Sequence, residues 1–342
     1  MSSLVRVACA LLVIAIANFI FWSPNGVLIE HKPQHENKVR IRWFERKLVT
    51  VRPKIVFLGN SIMYESVDER EFLRLTATQT IKIWDGGAAS AWWYLALKNV
   101  ILKAYYKPQM VMLFFRDHFL TDPTYRAIGK HKQNIDALAE QNEPVLDRLA
   151  YLGQMNAVAY FLFRYCPLYR QRDNIKNQLE KTVKDKVVSS LCGLEQGIPD
   201  QAIERLFDEK NLNTELLTIR QLAAESAGSN KLYNFQQELE RSFLPYMIDM
   251  AKENNIQVVF VRMKRRRDVK PGGQPKALQK YIKNLEDYLT KNRVLFIDFT
   301  DDKRIKIEHY GAGDHLSRSG GRQVFTKILT EKMLPIIQNL DR

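Results

Sequence analysis

Three short stretches of this chain place small or ionisable side chains where catalysis would need them: "FLGNSIMY" (57–64), "DGGAAS" (85–90) and "GDHLSRSGG" (313–321). A serine becomes a nucleophile when a base within hydrogen-bond reach takes its proton and N–H donors face the oxyanion that forms. Ser61 directly follows an apolar run, so it either caps the next helix or is presented as a nucleophile at a sheet edge. His315 is the candidate base, with Asp314 the nearest carboxylate able to set its tautomer. Gly86 and Gly87 are candidate oxyanion donors beside the N–H of Ser61, because small residues let a backbone or substrate approach closely. Taken singly, Ser61 reads as a cap and His315 as a solvated loop residue; together they make a nucleophile–base pair. Arg116, after a third apolar run, either donates to an oxyanion, grips an anionic substrate or pairs with Asp117.

These residues need a scaffold that brings them to one place. Five apolar runs, "KIVFLG" (54–59), "IKIWDGG" (81–87), "QMVMLFF" (109–115), "IQVVFVRM" (256–263) and "VLFIDF" (294–299), have the character of strands buried on both faces. Helical patterns at 91–106, 239–255, 275–292 and 321–340 separate or follow them. Strand–helix alternation predicts an α/β fold with a mainly parallel five-stranded sheet, and every candidate site residue then falls at the carboxyl edge of the strands. Residues 126–239, with helical patterning at 134–152 and 175–191, exceed what a strand crossover needs and are expected as a helical insertion, either a lid or padding.

The chain has 342 residues, 46% of them hydrophobic and 26% charged, a globular balance that excludes wholesale disorder. A net charge of +14 favours anionic partners such as lipid headgroups or acidic polysaccharide. Without zinc-finger spacing or an RNA-binding aromatic motif, nucleic acid ranks last. Val7 to Ile29 carry no charge and are long enough to span a bilayer. Ala15-Ile16-Ala17 resembles a signal-peptide cleavage site, but the apolar run continues through Trp22, so residues 1–30 read as an uncleaved transmembrane anchor. Residues 31–52 follow as a basic membrane-proximal linker or a helix on the membrane surface. Lys32, Lys38, Arg40 and Arg42 bias the domain towards the cytoplasm, while Cys166 and Cys192 are either one disulfide of an oxidising compartment or two unpaired thiols. The run "MKRRRD" (263–268) is either a site for an anionic polymer or a solvated loop. Trp92-Trp93 read as core rather than as a sugar platform. His31 and His35 flank a linker proline, and no metal or cofactor is expected.

The order of "FLGNSIMY", "DGGAAS" and "DHLSRSGG" resembles the SGNH (GDSL-like) hydrolase superfamily over about 53–125 and 240–342. The resemblance implies a flavodoxin-like three-layer sandwich, Ser61 as nucleophile, His315 as general base, and the backbone of Ser61 and Gly86 or Gly87 as oxyanion donors. It departs from the family in three places. Asn60 replaces the aspartate before the serine but keeps a hydrogen-bonding side chain for the oxyanion or substrate, Arg116 stands where the family has asparagine, and Ala312 stands three residues before His315 where an aspartate is usual. One anchor joined to such a domain resembles the membrane-anchored acyltransferases of bacterial envelope pathways, such as the DltD-type D-alanyl transfer proteins and the alginate acetylation proteins. That branch implies an extracytoplasmic (periplasmic) domain at the inner membrane, acyl transfer to an envelope glycan, and a membrane-bound O-acyltransferase (MBOAT) as partner. The alternatives are a membrane-anchored esterase or deacylase with the same Ser–His site, or a non-catalytic accessory subunit of an O-acylation complex.

Overall fold

The computed structural model describes residues 32–128, 131–140, 142–152, 234–270, 272–311 and 313–340, with single positions between 158 and 169. The expected transmembrane anchor, the helix at 175–191 and Cys192 lie outside the described residues. Among those described, no helix is long and apolar enough to cross a membrane.

The strands are β1 (Ile55–Asn60), β2 (Thr80–Asp85), β3 (Met110–Phe115), β4 (Gln257–Arg262) and β5 (Leu295–Asp298). All pair in parallel, in the order β2-β1-β3-β4-β5, which is the flavodoxin-like winding with its switch point beside β1. The helices are α1 (Lys32–Val51), α2 (Ser61–Ser66), α3 (Glu69–Thr76), α4 (Ser90–Leu95), α5 (Lys132–Leu138), α6 (Phe235–Glu240), α7 (Leu244–Glu253), α8 (Lys276–Lys291) and α9 (Gly321–Leu340).

Strand alternation divides the core into two layers. Val56, Leu58, Val111, Leu113 and Phe260 face a layer formed with Phe44 and Leu48 of α1, Trp93 of α4, Met247 of α7 and Leu285 of α8. Ile55, Phe57, Met112, Phe114 and Val259 face the other, with Ile62 and Met63 of α2, Phe72 of α3 and Phe325 and Leu329 of α9. Phe57 packs edge-on against Phe72 and Phe114, with centroids 5.1 and 5.7 Å away. Both sheet faces are therefore covered, which is why the strand sequences read as continuous apolar runs rather than as alternating ones.

Four expectations change in the structure. Residues 31–52 are not only a linker: they form α1, whose Phe44 and Leu48 are fully buried against the sheet. The helix expected at 239–255 is two, α6 and α7, because Pro245 in the first turn of α7 lacks the N–H a continuous helix would need. The helix expected at 91–106 runs through α4 into a π-helical stretch, Ala96–Ile101, and stops there. The insertion pattern at 134–152 resolves into α5, a short turn Pro144–Leu146 and a π-helical turn Asp147–Tyr151.

Candidate active site

The sequence around Ser61 folds by close approach. A Cβ on Gly59 would stand 2.7 Å from the Cβ of Met63, so only glycine lets α2 turn straight back over the end of β1. The first residue outside α2 is Asn60, and its side chain does the capping: Oδ1 accepts the N–H of Ile62 at 3.0 Å. The cap therefore belongs to Asn60, which leaves the hydroxyl of Ser61 available for another partner. The Asn60 amide also donates to the carbonyl of Ala88 at 3.2 Å, tying the serine turn to the glycine turn after β2. At the far end of α2, Lys82 Nζ donates to the carbonyls of Tyr64 (3.1 Å) and Val67, within reach of Glu69 at 4.0 Å. Burial is the main influence on that lysine and lowers its pKa to about 8, with Glu69 opposing.

His315 is carried by a loop closed by an antiparallel bridge between Tyr310 and Leu316, with Gly311 N–H donating to the carbonyl of His315 at 2.8 Å. The phenol of Tyr310 donates to the carbonyl of Lys264 at 3.1 Å and pins the loop to the segment after β4. So held, His315 Nε2 lies 3.0 Å from Ser61 Oγ, although 254 residues separate them in sequence. Both residues are half-buried. This is hydrogen-bond geometry for proton transfer between hydroxyl and imidazole.

A clasp that the sequence reading missed joins the two halves. Glu65, one turn after Ser61 on α2, accepts both prongs of Arg318 at 2.6 and 2.7 Å and Nη2 of Arg322 at 2.5 Å. Nε of Arg322 also donates to the carbonyl of Glu65 at 2.7 Å. Burial alone would raise the Glu65 pKa, but Arg318, then Arg322 and the nearby charge of His315, hold it below its ordinary value. The helix period of 3.6 places residue 65 on the face of residue 61; the partners across the chain leave no local signal.

Asp314 does not stand behind His315. Its carboxylate takes Arg116 Nη1 at 2.5 Å, Arg265 Nε at 3.0 Å and the backbone N–H of Arg266 at 3.0 Å. The arginines and the backbone N–H of Arg266 occupy the carboxylate, and among the described residues no hydrogen bond joins it to the adjacent His315. Burial pushes its pKa up but Arg116 and Arg265 outweigh that, so Asp314 is held ionised. Arg116 is accordingly an ion-pair partner of Asp314 through Nη1, rather than of Asp117. Asp117, in a left-handed conformation (φ 48°), pairs instead with Arg265 at 2.5 Å and Arg267 at 2.7 Å. The "MKRRRD" run is therefore neither a solvated loop nor an open basic patch. Arg265, Arg266 and Arg267 are folded into this cluster, where each buried charge has to be matched because an unpaired one costs far more than the pair gains.

The two glycines separate in role. The N–H of Gly86 is taken by Asp85 Oδ1 at 2.9 Å, and that buried carboxylate is further engaged by Arg40 of α1 and Asn134 of α5. Gly87, at φ 77°, makes no such hydrogen bond among the described residues. A Cβ there would meet His131 Cε1 at 2.6 Å and Arg126 Nη1 at 2.7 Å, both movable side-chain ends, so it is the backbone conformation that favours glycine. Among the candidate donors, Asn60 Nδ2, the N–H of Gly86 and Nη1 of Arg116 already hold partners. Gly87 and Ser61 itself remain, the latter in the first helical position where an N–H has no acceptor in its own helix. Trp92 and Trp93 are buried in the core as read. Among the described residues no cluster of His, Cys, Asp or Glu has the makings of a metal site.

No known family and no curated protein matches the chain. Solved structures resemble it in overall course. One is a candidate acylhydrolase from Bacteroides fragilis NCTC 9343 (11% identity, TM-score 0.42, covering 86% of this chain and 96% of that one). Another is a GDSL-like lipase from Bacteroides thetaiotaomicron VPI-5482 (13%, TM-score 0.40, covering 88% and 98%). A third is a candidate platelet activating factor from Streptococcus pneumonia (12%, TM-score 0.39, covering 95% and 99%).

Proposed function

We propose that the chain is a serine-dependent acyl-transfer enzyme of SGNH type, a membrane-anchored O-acyltransferase that modifies a cell-envelope polysaccharide or related polymer on the extracytoplasmic side. The observation that carries the reading is the 3.0 Å contact between His315 Nε2 and Ser61 Oγ at the carboxyl edge of a parallel sheet. The imidazole takes the hydroxyl proton as Ser61 Oγ attacks the carbonyl carbon of an acyl ester. The oxyanion forms against the N–H groups of Ser61 and Gly87, and its collapse expels the alcohol, which takes the proton back from His315. A glycan hydroxyl, deprotonated by the same imidazole, then attacks the acyl-serine; collapse forms the new ester and expels Ser61 Oγ, which takes the proton back from His315. Anchoring is supported by the uncharged stretch from Val7 to Ile29. The partner proposed with it is an MBOAT that supplies acyl groups across the bilayer.

An esterase using the same two residues is the competing reading, since water can replace the acceptor. Purified full-length protein incubated with an aryl acetate and an envelope glycan tests both. The proposal expects an acylated glycan, and kcat/KM lowered on the order of 10³-fold in Ser61→Ala. Free acid with no acylated glycan makes the chain an esterase, and turnover unchanged in Ser61→Ala removes serine catalysis altogether.

A further inference from the structure

Most arginines at this edge are matched to carboxylates: Arg40 to Asp85, Arg116 to Asp314, Arg265 and Arg267 to Asp117, Arg318 and Arg322 to Glu65. Arg126 is different. Among the described residues it forms no ion pair or hydrogen bond, and its guanidinium lies over the ring of Tyr125, 5.1 Å away. It is half-buried, and its backbone is held left-handed at φ 57°, an unfavourable conformation for a residue with a Cβ. Strain of that kind persists only where the surroundings impose it, and here they do. Asp122 Oδ1 accepts the N–H groups of Thr124 (3.2 Å) and Tyr125 (3.0 Å), building the turn. Ser90 Oγ, from the helix that follows the glycine turn, donates to the carbonyl of Asp122 at 2.6 Å and fixes its position.

The turn aims the cation at the reaction edge. Arg126 Nη1 and His131 Cε1 both lie against the open face of Gly87, 2.7 and 2.6 Å from where a Cβ would stand. The same glycine turn is tied to Ser61 through Asn60 and the carbonyl of Ala88. The carboxylate two residues before Gly87, Asp85, is already held by Arg40, Asn134 and Gly86, so it does not neutralise Arg126. An unmatched guanidinium in a half-buried position is a strong bidentate donor for a planar anion.

We propose that Arg126, with His131 beside it, is an anion-recognising subsite of the reaction edge, taking a carboxylate or phosphate carried by the acyl donor or by the alcohol. The inference rests on the reading of Ser61 as the reacting residue, and it narrows the substrate to esters with a negative group close to the scissile bond. The test is binding, so that it stands apart from turnover. Full-length Ser61→Ala protein is titrated calorimetrically with two matched pairs: 4-acetoxybenzoate against its methyl ester, and monophenyl succinate against phenyl butyrate. The first pair places the charge on the alcohol half, the second on the acyl half. At least one anionic member should bind about tenfold tighter than its neutral partner. Adding Arg126→Gln should abolish that preference, and Arg126→Lys should keep part of it. Equal affinities within both pairs, or a preference that survives Arg126→Gln, overturn the subsite. If Arg126→Gln fails to fold, the matched pairs and Arg126→Lys still decide. A binding preference found in a protein whose wild-type form turns over no ester would instead remove the catalytic reading and leave the subsite standing.

Discussion

Glu65 shows how one side chain controls the distance on which the chemistry depends. It lies a helical turn from Ser61 and grips Arg318 and Arg322 from the segment after His315, so nucleophile and base are clamped through a single carboxylate. Glu65→Gln keeps the shape and removes the charge. The expected result is a kcat on aryl esters reduced about tenfold with KM little changed, because the loss falls on alignment rather than on binding. Stability at neutral pH should fall by about 1 kcal/mol, a modest figure because Arg318 is 69% exposed. The pH dependence follows from the direction of the shift. Glu65 titrates below its ordinary 4.5 in the fold, so its contribution is complete above that value and is lost as pH falls through the lower folded one. Denaturation of wild type and Glu65→Gln should therefore converge in acid. A gap that persists well below pH 4 would show that the carboxylate charge is not what holds the clasp.

Helix α2 is a six-residue element, too short to be stable by itself, and the structure secures it at both ends. Asn60 caps its start and the ammonium of Lys82, buried in β2, meets its terminal carbonyls. That arrangement has a cost, since burial holds Lys82 at about 8 while the unfolded chain would titrate near 10.5. Between those values the unfolded state binds more protons than the folded one, so stability rises with pH. Urea unfolding of wild type against Lys82→Met should show wild type gaining about 3 kcal/mol, relative to the variant, from pH 8 to pH 10.5. A flat difference across that window would mean that Lys82 keeps an ordinary pKa. Helix α1 extends the same logic from outside: its Phe44 and Leu48 enter the core, and its Arg40 reaches Asp85 at the glycine turn.

At the scale of the whole molecule, the question is which side of a membrane the Ser61 edge faces. Lysines and arginines just after the apolar segment favour the cytoplasm, whereas acyl transfer to an envelope polymer requires the opposite side. Long domains cross despite such charges, so the proposal expects the domain outside. An alkaline phosphatase fused after Arg342 should be active in cells, and a fluorescent protein that matures only in the cytoplasm should stay dark at the same position. The reverse pattern would remove the envelope reading while leaving the Ser61–His315 chemistry untouched.

Periodicity was enough for the architecture: five apolar runs separated by helical patterns leave a parallel sheet with covered faces as the economical way to bury them, and the five strands lie within a residue or two of those runs. With the edge at which such folds place their sites, it also made Ser61 and His315 candidates, and the fold brings them to 3.0 Å of each other. It could not say which polar groups at that edge are free. Asp314 is adjacent to His315 in the chain yet bonded to Arg116 and Arg265, and of two neighbouring glycines only Gly86 has its N–H taken by Asp85. Glu65 finds its arginines more than 250 residues away. Apolar pattern is a local property with a fixed period, whereas the pairing of charges depends on which loops meet in space, and only the tertiary structure decides that.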